Sequence, residues 1–461
     1  MVDESKSHRI LNIFSFSGGN FLQEFISTVF GGWLFFYYEI EVGLDSWLIA
    51  SGYLIYAIFS AFSSPLFGYV TNKNTRFTKK LGRHFPWIML SAYPWFLSLF
   101  FMYFTPSINS QNQLLGFLWF TSFACSYSAF STIFGVNFSS LFPKKFRIDN
   151  ERRKASGIIG AVSFLASGLG SIFPSLLIKY NVKSTYSIMA FLSMLIAGFV
   201  ALLMIPGIRE HDAQIQIYFK TTFTEHPSSF FKAMKQGIKH KNFVVSITCF
   251  FFTLIIMRSV GAAFPYAIRY IFYSPALTIA LISLCYLLGA VISMPIWTKI
   301  GNHLNDNRKT FKITAFGLII SEIFLLFIGD LNLVYFAAII FGFCIAGFWT
   351  VLTMPINADV LDEIAVNTRE RNEPIYVGIR GFFMNFSIVL QSSLFALIHD
   401  ATGFTKDAEF QNILAQWGIR FTLALIPLVC TIIALVIFWR FYDLNPEKIN
   451  EIKNRLNSLK I

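Results

Sequence analysis

"SSPLFGYVTNKNTRFTKKLGRHFPWIML", residues 63–90, joins two apolar stretches through a short segment carrying Lys73, Arg76, Lys79, Lys80 and Arg83. Cations crowded between hydrophobic walls mark a chain turning back at a membrane surface, because Lys and Arg concentrate in connections kept on the cytoplasmic side. The remainder agrees: of 461 residues, 55% are hydrophobic and only 13% charged, against about 25% charged in an ordinary soluble protein. Apolar blocks able to cross roughly 30 Å of hydrocarbon recur along nearly the whole chain without the alternation of barrel strands. Helices are then what satisfies the backbone.

Spans are predicted near 12–38, 46–70, 85–105, 113–142, 156–178, 186–207, 243–270, 277–298, 313–328, 333–357, 376–398 and 419–440. The expected fold is an all-α polytopic membrane protein, twelve transmembrane helices in two pseudo-symmetric six-helix halves: 1–207, a cytoplasmic linker at 208–242, and 243–461 with a cytoplasmic tail. With the N-terminus in the cytoplasm, the even-numbered connections hold Lys73 to Arg83, "KKFRIDNERRK" (144–154), "NRKTFK" (307–312) and "NTRERNE" (367–373). Connections 39–45, 106–112 and 329–332 contain no Lys or Arg. Both termini are therefore expected in the cytoplasm, with the plasma membrane as location. "MVDESKSHR" precedes no short apolar core with a small-residue cleavage site, so the first block is expected to be retained.

The net charge of +12 sits in loops beside apolar segments and builds no recognition stripe, so nucleic acid is not an expected partner. A small-molecule solute and the lipid bilayer are, with the chain as a monomer. Cys125, Cys249, Cys285, Cys344 and Cys430 lie inside apolar blocks without CxxC spacing, which predicts neither disulfides nor a metal site. No nucleophile elbow, HExxH or histidine cluster suggests an enzyme, and no catalytic residue or resident cofactor is expected.

"PLFGYVTN" (65–72) and "PIWTKIGN" (295–302) share a proline, an aromatic, a β-branched residue and an asparagine, and each closes the second span of its half. Such an echo supports parallel internal repeats, whose substrate sites lie between repeats near the bilayer midplane. In the linker, "SSFFKAMKQGIKHK" (228–241) reads equally as a surface helix or as solvated chain. Within spans, ionisable residues cost at least about 2.5–3.5 kcal/mol on insertion scales and ask for a function. Glu24 lies in the middle of span 1, Arg258 in span 7, Glu322 in span 9 and Arg380 near the start of span 11. Arg269 and Arg380 are close enough to span ends to snorkel, and Glu322 is expected to find a local partner or to snorkel.

The hairpin "GYVTNKNTRFTKKLGRHFPW" (68–87) resembles the signature loop of the major facilitator superfamily, in the form used by glycoside-pentoside-hexuronide:cation symporters such as the melibiose carrier. "ADVLDEIAVNTRERNEPIYVG" (358–378), "LFPKKFRIDNERRKAS" (141–156) and the tail "FYDLNPEKINEIKNRL" (441–456) extend that resemblance over essentially the whole chain. It implies a secondary carrier working by alternating access, with an acidic residue at Glu24 contacting solute. Glu24 and Arg258 would face each other across a cavity, binding solute or neutralising one another. Asn137, Trp349 and Asn385 are further substrate-site candidates, each with packing as the alternative. Arg83, Arg152, Asp359, Asp362 and Arg371 would form a cytoplasmic gate, unless they are only topogenic charges.

Departures are as informative. The family's paired aspartates of span 2, which ligate Na⁺, are replaced by Ser60 and Ser64; Thr132 matches another cation ligand. Gly135, Gly160 and Asn385 stand where the resemblance implies aspartate, arginine and lysine. A weakened Na⁺ site, H⁺ coupling through Glu24 and uncoupled diffusion are all open. The leading expectation is transport of a sugar or glycoside; the alternatives are a lipid or other metabolite, and a sensor or scaffold that has lost transport.

Overall fold

The computed structural model describes residues 10–71, 81–106, 112–146, 149–210, 237–368, 373–406 and 408–459; some side chains within these stretches, Ser64, Arg152 and Arg153 among them, lie outside the description. So do Lys73, Arg371 and most of the linker. All regular structure among the described residues is helical. The chain divides into two units, Met1–Glu225 with Pro275–Ala280, and His226–Ser274 with Leu281–Ile461.

Unit 1 holds α1 (Ile10–Phe36), α2 (Ser46–Thr71), α3 (Phe85–Tyr103), α4 (Gln113–Lys145), α5 (Asp149–Leu177) and α6 (Lys183–Leu203). Helix α1 packs chiefly on α5, and α4 on both α2 and α3. The shared core is aromatic: Phe30 stacks on Tyr127 at 4.5 Å and Trp95 lies 5.3 Å from Phe134. Leu165, Ile188 and Phe199 point outward, the inverse of a soluble fold and the expected arrangement where the solvent is hydrocarbon.

Unit 2 holds α7 (Lys241–Tyr270), most of α8 (Leu277–Leu304), α9 (Asn307–Phe327), α10 (Leu331–Val351), α11 (Asn357–Thr368), α12 (Glu373–Asn385), α13 (Ser387–Ala401), α14 (Ile413–Arg420), α15 (Ile426–Phe441) and α16 (Pro446–Leu459). Polar caps set several starts: the Asp306 carboxylate accepts from the Arg308 and Lys309 amides, and Asp330 from the Asn332 amide. Such caps satisfy orphan N–H groups where the chain re-enters apolar surroundings.

Eleven helices among the described residues are long and apolar enough to cross a membrane. Helix α1 has the length, 27 residues, but Asn12, Asn20, Gln23 and Glu24 dilute its hydrophobicity. Residues 358–375, which fall between the tenth and eleventh expected spans, are mostly helical, because α10 runs through a π-turn at Leu352–Ile356 into α11, and α12 starts at Glu373. Pro355 lies in that π-turn, where its missing N–H is accommodated by the widened helix. The eleventh expected span breaks at Phe386, between α12 and α13.

Helices α8 and α10 meet through glycine. A Cβ on Gly289 would collide with the Ile339 carbonyl, and one on Gly342 with the Tyr286 carbonyl; close backbone approach of this kind is how membrane helices gain packing energy without a hydrophobic effect between them. Gly289→Ala is expected to destabilise the protein by about 1–3 kcal/mol, read as a lower unfolding temperature in detergent. Gly261→Ala, where a Cβ meets nothing within 4 Å, is expected to leave that temperature unchanged.

Candidate transport site

In unit 1, Glu24 is exposed while Phe25 and Ile26, its neighbours on α1, are buried. Its backbone carbonyl is bonded by the Thr28 hydroxyl at 2.8 Å. Beside it, Gln23 reaches over α4: a Cβ on Gly135 would lie 3.1 Å from its Nε2. The glutamine thus borders the space that an aspartate at 135 would occupy. Gly160 faces open space. Asn137 is buried, with Nδ2 donating to the Ile133 carbonyl at 2.9 Å and Oδ1 3.2 Å from His84 Nδ1, so both ends of its amide are engaged within the unit.

On α2 and α4 the structure adds a hydroxyl, that of Ser63, to those named from the sequence. Thr132 Oγ1 lies 3.3 Å from the hydroxyl of Ser63, and that hydroxyl donates to the Ser60 carbonyl at 2.9 Å. Ser60 and Ser63 are both buried; the side chain of Ser64 is outside the description. Hard, neutral oxygens of this kind can serve an alkali cation, and Ser63 joins Ser60 and Thr132 as the candidate set. A run with serine at 60, 63 and 64 gave no means of telling which hydroxyl faces α4.

At the charged end of unit 1, Glu210 accepts from the His84 amide at 3.0 Å. Lys145 donates to the Gly207 carbonyl, and burial pulls its ammonium down to about 8 against the opposing charge of Glu210. Burial also lowers Arg83, again opposed by Glu210. Glu210 and Lys145, neither of them a sequence-level candidate, therefore anchor the place where Arg83 was expected to gate. At the other end, Glu39 and Glu41 in the π-turn Tyr37–Glu41 are buried. Glu39 accepts from the Ser46 hydroxyl, and Glu41 from the Asn181 amide at 3.0 Å and the Tyr186 hydroxyl at 3.2 Å.

In unit 2, Arg258 Nη1 donates to the Ser387 hydroxyl at 2.5 Å, at the break between α12 and α13. Ser387 in turn donates to the Met384 carbonyl at 2.7 Å, and Asn385 sits on the same break. One turn earlier, the Arg380 guanidinium stacks 4.5 Å from the Phe250 ring centroid, and Trp349 meets the same ring edge-on at 5.9 Å. Against the expectation that Arg380 snorkels, its Nη1 is buried with no hydrogen-bond partner among the described residues, and the aromatic face of Phe250 holds the guanidinium inward. Arg380 forms no ion pair among the described residues. Glu322 does find a local partner, the Thr431 hydroxyl at 2.9 Å.

Beyond the spans of unit 2, Asn242 Nδ2 reaches both oxygens of Glu363 at 3.0 Å and Asp443 Oδ1 at 2.7 Å. Burial pushes the Glu363 carboxyl up, with the Asn242 bond opposing. Asp443 also pairs with Lys448 at 3.2 Å. Asp359 is buried and accepts from Asn307 Nδ2 at 2.7 Å. Asp359 and Asp362 lie on α11; of the other gate candidates, the side chain of Arg152 and all of Arg371 lie outside the described residues.

The profile of the MFS/sugar transport proteins matches residues 15–446. This chain belongs to that family. The sodium-dependent lysophosphatidylcholine symporter 1 of Xenopus tropicalis is 22% identical over 447 residues, covering 87% of this chain and 81% of that protein. The mouse (Mus musculus) protein of the same name is 22% identical over 440 residues, with 87% and 79% covered. The Bacillus subtilis (strain 168) symporter YnaJ is 22% identical over 460 residues, with 95% and 94% covered. In fold, the chain is similar to the crystal structure of a D-xylose-proton symporter, at a TM-score of 0.62 and 15% identity, covering 94% and 97%. The protein is thus a multi-pass membrane transporter of major facilitator fold and not an enzyme.

If uptake is driven by Na⁺ held here, Ser63→Ala and Thr132→Ala are expected to raise the Na⁺ concentration for half-maximal uptake several-fold, because each removes one neutral oxygen ligand and a loss of about 1 kcal/mol corresponds to roughly fivefold. Lys145 gives a pH prediction. An amine held below its ordinary value in the folded state binds fewer protons than the unfolded chain, so its contribution to stability rises as pH climbs from about 8 to 10.5. Thermal unfolding in detergent should show that rise, reduced in Lys145→Met.

Proposed function

We propose that this protein is a Na⁺-coupled symporter of an amphiphilic, phosphate-bearing lipid of the lysophospholipid class, working by alternating access. The observation that carries the reading is Arg380: a guanidinium without an ion-pair partner among the described residues, seated on Phe250 beside Trp349. A planar fork of N–H donors suits a phosphate, and its aromatic bed suits the apolar part of an amphiphile. Relatives at 22% identity named as sodium-dependent lysophosphatidylcholine symporters support the same solute and ion.

Arg258, Asn385 and Trp349 supply the rest of the solute surface on unit 2, and Glu24 with Gln23 supplies it on unit 1. Na⁺ sits among the oxygens of Ser60, Ser63 and Thr132, with Ser64 as a further ligand. Lacking the aspartates of melibiose-type carriers, this set binds the ion weakly. Arg83, Arg152, Asp359, Asp362 and Arg371 act at the cytoplasmic gate, both termini face the cytoplasm of a plasma-membrane monomer, and the six-helix division follows 1–207 and 243–461. A glycoside is the second reading, favoured by Glu24 and by the motif-level likeness to the melibiose carrier's family.

Proteoliposomes decide between them. Labelled lysophosphatidylcholine is expected to enter in a Na⁺-dependent manner, with Arg380→Ala slowing entry by at least about tenfold, the worth of a charge-assisted bond. Saturable, Na⁺- or H⁺-dependent uptake of labelled melibiose with no lysophospholipid entry would reverse the assignment.

A further inference from the structure

Unit 2 contains a cavity of about 410 Å³ that lies apart from Arg258 and Arg380. Its walls come from the end of α8, the start of α9, the turn from α10 into α11, and the tail helix α16. The apolar spans Leu277–Leu304 and Leu331–Val351 finish here and Asn307–Phe327 begins, so the cavity lies at one edge of the membrane, at headgroup level.

Its lining is uneven in a telling way. Trp297, Pro355 and Ile449 make an apolar side. Facing the same space are Asp359 and Lys453, one carboxylate and one ammonium. They feel each other, since the charge of Lys453 draws Asp359 down against the upward push of burial, yet they form no ion pair among the described residues. One Asp359 oxygen is taken by Asn307 at 2.7 Å, and no described residue donates to the other. The asparagines at 302 and 450 add amide groups whose side chains make no hydrogen bond within the described structure.

We propose that this cavity binds a zwitterionic ammonium–phosphate group, the ammonium on Asp359 and the phosphate on Lys453. A polyanionic headgroup would call for several cations, and among the described residues Lys453 is the one cation that lines the space. A quaternary ammonium would call for a cage of several aromatic rings, and among the described lining residues Trp297 supplies a single ring. A primary ammonium instead donates hydrogen bonds that the free Asp359 oxygen and the amide carbonyls can accept. The group is phosphoethanolamine in kind, and the apolar side at membrane depth favours a phospholipid as its source. Because the tail helix supplies Ile449, Asn450 and Lys453, the bound headgroup would tie α16 to the π-turn that leads into α11.

The test is thermal stabilisation of the purified full-length protein in detergent, titrated with short-chain phosphatidylethanolamine, phosphatidylcholine, phosphatidylglycerol and soluble glycerophosphoethanolamine. The ethanolamine lipid is expected to raise the unfolding temperature at concentrations at least about tenfold lower than the other two lipids, and Lys453→Glu and Asn450→Leu to shift that titration about tenfold or more. Equal potency of glycerophosphoethanolamine would support the headgroup chemistry and assign it to a soluble source. Lys453 and Asn450 lie on the exposed face of the tail helix, so these variants remain informative if Asp359→Asn does not fold. Titrations that do not distinguish the headgroups, or that Lys453→Glu and Asn450→Leu leave in place, overturn the proposal.

Discussion

A charge placed in hydrocarbon must be answered by something: a partner, an aromatic face, a route to water, or a ligand. Five membrane-depth charges among the described residues can be sorted by their answer. Glu322 takes the Thr431 hydroxyl in the interior of unit 2. Arg258 takes Ser387 at a helix break. Arg420 reaches the Leu326 and Ile328 carbonyls. Arg380 takes a ring and keeps a buried N–H unspent among the described residues. In unit 1, Glu24 stays exposed on the surface of its unit. The two residues that finish with least, Glu24 and Arg380, are the ones a transported solute can complete.

The same constraint makes the helix ends as informative as the middles. Beyond the spans, charges are answered by short, dense networks: Glu210 with the His84 amide, and Asn242 shared between Glu363 and Asp443. Each joins segments distant in sequence, separated by 126, 121 and 201 residues. Exposed ion pairs contribute little singly, but bonds spent by a single amide on two carboxylates hold three segments in one arrangement and release them together.

Apolar run length made the spans legible, since no other structure satisfies so much backbone in lipid. Charged residues inside a span were legible as exceptions, which is why Glu24 and Arg258 stood out; Thr132 was named through the family resemblance. What stayed hidden depended on facing. The serines at 60, 63 and 64 differ only in which side of α2 they occupy, and Ser63 meets Thr132. Arg380 lies close to a span end, so sequence position alone favoured a path to water; the ring of Phe250, 130 residues earlier in the chain, decided otherwise. Residues 357–368 carry enough charge to read as a loop, yet continue as a helix after the π-turn. Glu39 and Glu41 gave no signal, because a stretch without Lys or Arg reads only as the opposite side of the membrane.

The central claim is that Glu24 lies on a water-accessible transport path reached from either side in turn. The most direct measurement labels a single cysteine at Ser27, one turn from Glu24 and likewise exposed, in a chain whose five native cysteines are replaced. A membrane-impermeant maleimide is applied to right-side-out and to inside-out vesicles. The account predicts labelling from both sides, with lysophospholipid plus Na⁺ changing the balance between them. Labelling from neither side, or from one side at a rate that solute and Na⁺ leave unchanged, would contradict it.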